Sequence, residues 1–257
     1  MMSKQTTTRK QKLYLAKRSP GAAEDSFQDA ERYLKFSPIS FLLVFLFAIP
    51  VLGYLVSKYY GRDPYGDFAM LLLVLGIIGL IGSAGMAVLF KRNFFKFQHY
   101  YYRNTDVFLN FILFVFVLFA GLGFVWFLLG STLRYALSNT ELYFYYISAA
   151  IIEELFFRMF LCGVPKTYLI ELRKRGQNKF PEAIENISIA ISTAVIFMLA
   201  HLTTYGNTLI GITAMFFGGI LFALFYLYTK DITITMVAHI WVNIIAVSNL
   251  IMTAGGV

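Results

Sequence analysis

Three short stretches place groups capable of acid–base or ligand chemistry inside runs that are otherwise apolar. The first is Ile151-Ile-Glu-Glu-Leu-Phe-Phe-Arg158, which holds Glu153, Glu154 and Arg158. The second is Phe197-Met-Leu-Ala-His201, and the third is His239-Ile-Trp-Val-Asn243. No other carboxylate lies deep in an apolar run, and two of the chain's three histidines are here. Helical residues four apart share a face, so Glu154 is expected beneath Arg158, Phe197 beneath His201, and His239 beneath Asn243. Glu153 and Glu154 stand about 100° apart on a helix of 3.6 residues per turn. One can therefore pair with Arg158 while the other faces a cavity. Neighbouring carboxylates repel and burial opposes charge, so one of the two is poised for proton transfer. Two imidazoles, one or two carboxylates and an amide around one cavity suit hydrolysis by a glutamate-activated water. The imidazoles would then serve as metal ligands or as hydrogen-bonding partners of water and oxyanion.

Each ingredient also has a plain structural reading. A Glu–Arg pair inside a span can be a structural ion pair, and a lone intramembrane histidine can be a hydrogen-bonded packing residue. A His and an Asn four apart can tie helices together. Phe197 can be cavity wall or simple packing. Ionisable groups in a bilayer are costly enough that three such clusters in one half of a chain argue for a shared task.

The elements that must position these residues follow from composition. The chain has 257 residues, of which 58% are hydrophobic, 18% aromatic and 14% charged, with 27 phenylalanines. That is too few charges to clothe a soluble domain of this size. Seven continuous apolar runs are long enough to span hydrocarbon as helices: about Ser40–Val56, Phe68–Phe90, Val107–Gly130, Leu142–Val164, Ile187–Tyr205, Thr208–Tyr228 and Ile232–Thr253. They do not alternate as barrel strands would. The expectation is an all-α polytopic membrane bundle of about seven transmembrane helices. Pro50 is expected to kink the first, and Gly76, Gly79, Gly82 and Gly85 give the second a small-residue stripe for close packing. The segment Lys166–Asn186 reads as charged, with a short surface helix.

A net charge of +8 could suggest nucleic acid, but the basic residues are explained by orientation in a membrane. With the N-terminus cytoplasmic, the inward-facing segments hold 18 of the 22 Lys and Arg residues. The outward ones hold Lys58, Arg62 and Arg134, and Arg158 lies within a helix. Seven spans then put the C-terminus outside. Residues 1–36 form a basic cytoplasmic tail suited to anionic headgroups, with no cleavable signal peptide. Residues 37–257 form the transmembrane domain, and its motif-bearing core is 141–250. Tyr100, Tyr101 and Tyr102 read as an interfacial belt, and His99 as a surface residue. The single cysteine, Cys162, excludes an intramolecular disulfide and a cysteine metal cluster. A proton-coupled transporter carrying protons on Glu153 or Glu154 is disfavoured by the absence of internal repeats.

Glu153-Glu154-x-x-x-Arg158, Phe197-x-x-x-His201 and His239-x-x-x-Asn243, in that order on successive spans, resemble the three motifs of the CPBP intramembrane proteases. That family includes the type II CAAX prenyl proteases and bacterial relatives linked to bacteriocin processing and self-immunity. The likeness covers about residues 141–250. The Gly218-Gly219 helix leading through Tyr228-Thr-Lys-Asp231 also fits the pattern. The resemblance implies a multi-pass endopeptidase of the cell or endoplasmic reticulum membrane, acting on a lipidated or hydrophobic peptide or protein, prenylated or not. It implies Glu153 as general base, with Glu154 and Arg158 as the accompanying pair. His201 would help hold the water or a metal, and His239 with Asn243 would hold metal or stabilise the oxyanion. Zinc on His201, His239 and Glu153 is one expectation, and a metal-free glutamate mechanism is the other. Asn243 is the poorer third ligand, since an amide binds zinc weakly. A non-catalytic membrane partner or immunity or scaffold protein of the same fold is the alternative function. Seven spans also differ from the eight of the CAAX proteases in this family. The run limits further place His201 near the outer end of its helix and His239 in the inner part of its own. An earlier start for the fifth helix, within Pro181–Asn186, or a tilted or re-entrant helix would reconcile them.

Overall fold

The structure, a computed structural model, describes residues 37–89, 137–202 and 208–254. The basic tail, the predicted span Val107–Gly130, His99 and Tyr100 to Tyr102 lie outside the described residues. Six helices make up those residues, with no strand among them. They are α1 (Pro38–Tyr59), α2 (Pro64–Leu89), α3 (139–174), α4 (Glu182–His201), α5 (Leu209–Thr229) and α6 (Ile232–Ala254).

Five of the six are long and apolar enough to cross a membrane: α1, α2, α4, α5, and α6 over Ile232–Asn249. They coincide with five of the predicted runs, so the all-α membrane bundle holds. The remaining helix, α3, contains the predicted run Leu142–Val164 and carries Glu153, Glu154 and Arg158 at its centre, where it packs among the other helices. Ile151, Ile152, Glu154, Leu155, Arg158, Met159 and Cys162 along it are all buried.

Local chemistry sets where the helices start and stop. Ser138 and Glu141 form a capping box at the start of α3, each satisfying the other's backbone N–H. The Thr208 hydroxyl caps α5 by accepting from the Gly211 N–H. Lys230, in the left-handed region at φ 58°, ends α5, and the Asp231 carboxylate accepts from Thr233 N–H to start α6. Thr233 also hydrogen-bonds the Ser37 and Ser40 hydroxyls, at 2.7 and 2.8 Å, tying the starts of α1 and α6 together.

Two stretches widen to π geometry, Leu42–Ala48 in α1 and Glu154–Gly163 in α3. The first immediately precedes Pro50, so the helix passes its proline through a π segment leading into a fresh α turn at Ile49–Tyr59. The second begins within the carboxylate motif.

The glycine stripe of α2 is the surface on which α3 rests. A Cβ at Gly76 would stand 3.2 Å from Ile152 Cδ1, and one at Gly79 would stand 3.3 Å from the Leu155 carbonyl oxygen. One at Gly82 would overlap the Phe160 ring. Gly85 has nothing within 4 Å of the same position among the described residues and takes no part.

The expectation of a short surface helix within Lys166–Asn186 is corrected. Helix α3 continues unbroken to Lys174, and Lys166 and Thr167 are fully buried. Several of the charges there are paired. Lys166 Nζ lies 3.0 Å from Glu182 and 3.2 Å from Glu185, and Arg173 reaches Glu185 at 2.5 Å. Asn178 Nδ2 donates to the same Glu185 carboxylate. This cluster clamps the end of α3 to the first turn of α4.

Candidate active site

Helices α3, α4 and α6 bring the three motifs to one place. Glu154 Oε2 lies 3.3 Å from Arg158 Nε, one helical step along α3, and both side chains are fully buried. The other oxygen, Glu154 Oε1, accepts from His239 Nδ1 at 2.9 Å. Glu153 points away from this pair. Its Oε1 stands 3.6 Å from His201 Nε2, and its Oε2 stands 3.7 Å from His239 Nε2. The two adjacent carboxylates therefore divide as their offset on the helix requires.

The hydrogen bonds fix how each imidazole is presented. His201 Nδ1 lies 2.8 Å from the Phe197 carbonyl oxygen, and His239 Nδ1 lies against a carboxylate. Carbonyls and carboxylates only accept, so both Nδ1 atoms carry the proton. In the neutral rings the Nε2 lone pairs then face Glu153. Two imidazole lone pairs and a carboxylate make a cluster of acceptors, and such a cluster is stable only around something that donates or carries positive charge.

Aromatic rings wall the site. Phe197 lies against His201 with ring centroids 4.2 Å apart, and Phe222 against His239 at 5.0 Å. The Arg158 guanidinium sits between the same two phenylalanines, 5.2 Å from Phe197 and 5.6 Å from Phe222. Faces of aromatic rings attract a desolvated cation, which offsets part of the burial penalty. Arg158 Nε, Nη1 and Nη2 and Glu154 Oε2 have no hydrogen-bond partner among the described residues. The Glu154–Arg158 contact is thus a charge pair rather than an aligned hydrogen bond.

Asn243 lies one turn beyond His239, and its Nδ2 donates to the Tyr146 carbonyl oxygen of α3 at 2.9 Å. The structure thus gathers Glu153, Glu154, Arg158, His201 and His239 directly and sets Asn243 beside them, bound to the α3 backbone. Phe222 escaped the sequence reading, because an aromatic residue in a helix that is apolar all round carries no contrast. Tyr146 contributes through its carbonyl, which no side-chain pattern reveals.

Two neutral imidazole nitrogens and a carboxylate oxygen are donors that zinc accepts, and the partners on both Nδ1 atoms are the outer-shell groups that orient such ligands. The separations of 3.6 and 3.7 Å exceed the roughly 3.4 Å kept by two ligands of a tetrahedral zinc. Among the described residues, no group of three or more His, Cys, Asp or Glu side chains is drawn together tightly enough to hold a metal ion as it stands. The donor set fits zinc in its chemistry, and the side chains would have to draw closer to hold it.

Comparison with known proteins finds a similarity to one family over the motif-bearing part of the chain. Residues 136–245 match the Rce1-like type II CAAX prenyl endopeptidase family. This agrees with the resemblance carried by the motifs. The match runs from the start of α3 into α6 and contains Glu153, Glu154, Arg158, His201, His239 and Asn243. Helices α1 and α2 fall outside it, although α2 supplies the bed on which α3 lies. No curated protein and no solved structure matches the chain.

Proposed function

We propose that this chain is an intramembrane endopeptidase of the CAAX type, hydrolysing a peptide bond near a lipidated or hydrophobic C-terminal segment. The observation that carries the reading is the placing of Glu153 between two imidazoles that are each tied down through the opposite ring nitrogen. A water in that cluster loses a proton to the Glu153 carboxylate, and the resulting hydroxide attacks the scissile carbonyl carbon. The tetrahedral oxyanion collapses, the C–N bond breaks, and the proton held by Glu153 passes to the leaving amine. Glu154 orients His239, and Arg158 balances the Glu154 charge. Asn243, one turn from His239 on α6, would donate its amide to the oxyanion once substrate displaces the Tyr146 contact.

Zinc, where present, would be held by His201 and His239 with Glu153, and would supply a Lewis acid and a bound water of lowered pKa. The enzyme would act on peptide or protein substrates within the lipid phase. Farnesylated, palmitoylated and unmodified versions of one C-terminal peptide, offered to the reconstituted protein, separate a demand for prenyl groups from a demand for hydrophobicity. Glu153→Gln should abolish cleavage of every version while the melting temperature stays near that of the wild type. Normal turnover by that variant would overturn the assignment, and wild-type protein that cleaves none of them would favour a binding partner of the same fold.

A further inference from the structure

A cavity of about 470 Å³ opens at the far end of the α4–α5 hairpin from His201, lined by Glu182, Asn186, Leu224, Leu227, Tyr228 and Lys230. It is separate from the candidate active site. Asn186 lies 15 residues before His201 on the same helix, about 22 Å at 1.5 Å per residue. The basic-residue bias assigns this end of the bundle to the cytoplasmic leaflet.

The lining has three parts with distinct chemistry. Leu224 and Tyr228 form an exposed apolar wall among the described residues. Lys230, half-buried on the turn between α5 and α6, adds a basic side chain to the lining. Glu182 brings a carboxylate that is more than half exposed while Lys166 and Arg173 hold it in place from behind. Between them stands Asn186, whose buried amide oxygen has no hydrogen-bond partner among the described residues. An orphaned amide oxygen is costly to keep. Turning the amide about its last side-chain torsion, which is soft, would present that oxygen to the cavity.

One cation and one carboxylate flanking a hydrogen-bonding amide, above an apolar wall at the membrane surface, complement a dipolar headgroup on acyl chains. We infer that this cavity binds a zwitterionic phospholipid with a primary ammonium, of the phosphatidylethanolamine kind. The phosphate lies against Lys230, the ammonium donates to Asn186 and Glu182, and the acyl chains run along Leu224 and Tyr228. A quaternary choline has no N–H to donate, and a glycerol headgroup carries no positive charge for Glu182. Both should bind more weakly.

Native mass spectrometry on detergent-purified full-length protein, offered equal amounts of phosphatidylethanolamine, phosphatidylcholine and phosphatidylglycerol, tests this. The expected result is preferential retention of phosphatidylethanolamine. Lys230→Asn keeps a residue that tolerates the positive φ and should reduce that retention about fivefold. Leu224→Trp fills the cavity from its exposed wall and should abolish the preference. Free phosphoethanolamine should not compete, since it lacks the chains. Equal retention of the choline lipid, preference for the glycerol lipid, displacement by the free headgroup, or unchanged retention in both variants would each overturn the assignment. The readout is lipid mass, so it stands or falls independently of peptide cleavage.

Discussion

Replacing Glu154 by alanine removes one carboxylate and leaves two partners exposed to the consequence. The Arg158 guanidinium, fully buried, would lose the carboxylate that stands 3.3 Å away, and His239 would lose the acceptor on its Nδ1 at 2.9 Å. Removing one member of a buried pair costs about 3–5 kcal/mol, because the remaining charge stays desolvated. In a chain of this size each kcal/mol moves the melting temperature by about 2–4 °C, so Glu154→Ala should melt roughly 6–20 °C lower. The two phenylalanine faces around Arg158 offset part of the loss and favour the lower end. Thermal melts in detergent on Glu154→Ala, Arg158→Met and the double variant measure this directly. The double variant should recover much of the loss, since both charges are then gone. A Glu154→Ala protein that melts with the wild type, or a double variant that falls by the sum of the singles, would refute the pair as the structure draws it.

Other outcomes follow from the same contacts. If zinc is held, elemental analysis should find about one per chain, lost in both His201→Ala and His239→Ala; full activity after chelation would leave the metal-free mechanism. Gly79→Leu, which must displace the Leu155–Phe156 backbone, should destabilise by about 1–3 kcal/mol and lower turnover, whereas Gly85→Leu should do neither. At the mouth of the bundle, Glu141 is held down to a pKa of about 2, first by Lys58 at 2.6 Å and then by Ser138 and Tyr59. A depressed carboxylate stabilises above its ordinary pKa, so this contribution is intact near pH 6 and drains away from about pH 4.5 towards 2. Melting temperatures measured down through that window should fall less steeply in Glu141→Gln.

Five of the seven expected spans were legible because a run of about 20 apolar residues has few alternatives to a membrane helix. The motif residues were legible for the converse reason, that charge and imidazole inside such runs demand an explanation. The π geometry of Glu154–Gly163 left no trace, since Glu-x-x-x-Arg reads the same whether the turn holds 3.6 residues or more. The length of α3 was hidden by Lys166, Arg173 and Glu182, whose charges look like a solvated loop until their partners across the α3–α4 junction are known. Phe222 and the Tyr146 carbonyl could not be singled out by type or spacing at all.

The mismatch in depth between His201 and His239 has a geometric answer in helix direction. Helix α4 begins at Glu182, five residues before the apolar run, and His201 is its last residue, so the earlier start alone does not lower the imidazole. Side chains in α-helices lean towards their own N-terminus. The His201 ring does so far enough to rest on Phe197 and bond its carbonyl. Helix α3 runs antiparallel to α4, as the contacts of Lys166 with Glu185 at one end and of Glu153 with His201 at the other require. Glu153 therefore leans towards the incoming ring, and the two displacements add. The same holds across α3 and α6, where Tyr143 meets Ser248 and Tyr146 meets Asn243 in near-constant register. Glu154 and His239 then meet two to four residues off that register, each leaning towards the other. A polar site built between antiparallel helices can thus draw on residues whose Cα atoms lie at different depths. Apolar run limits alone, which locate only backbone, place the two histidines too far apart.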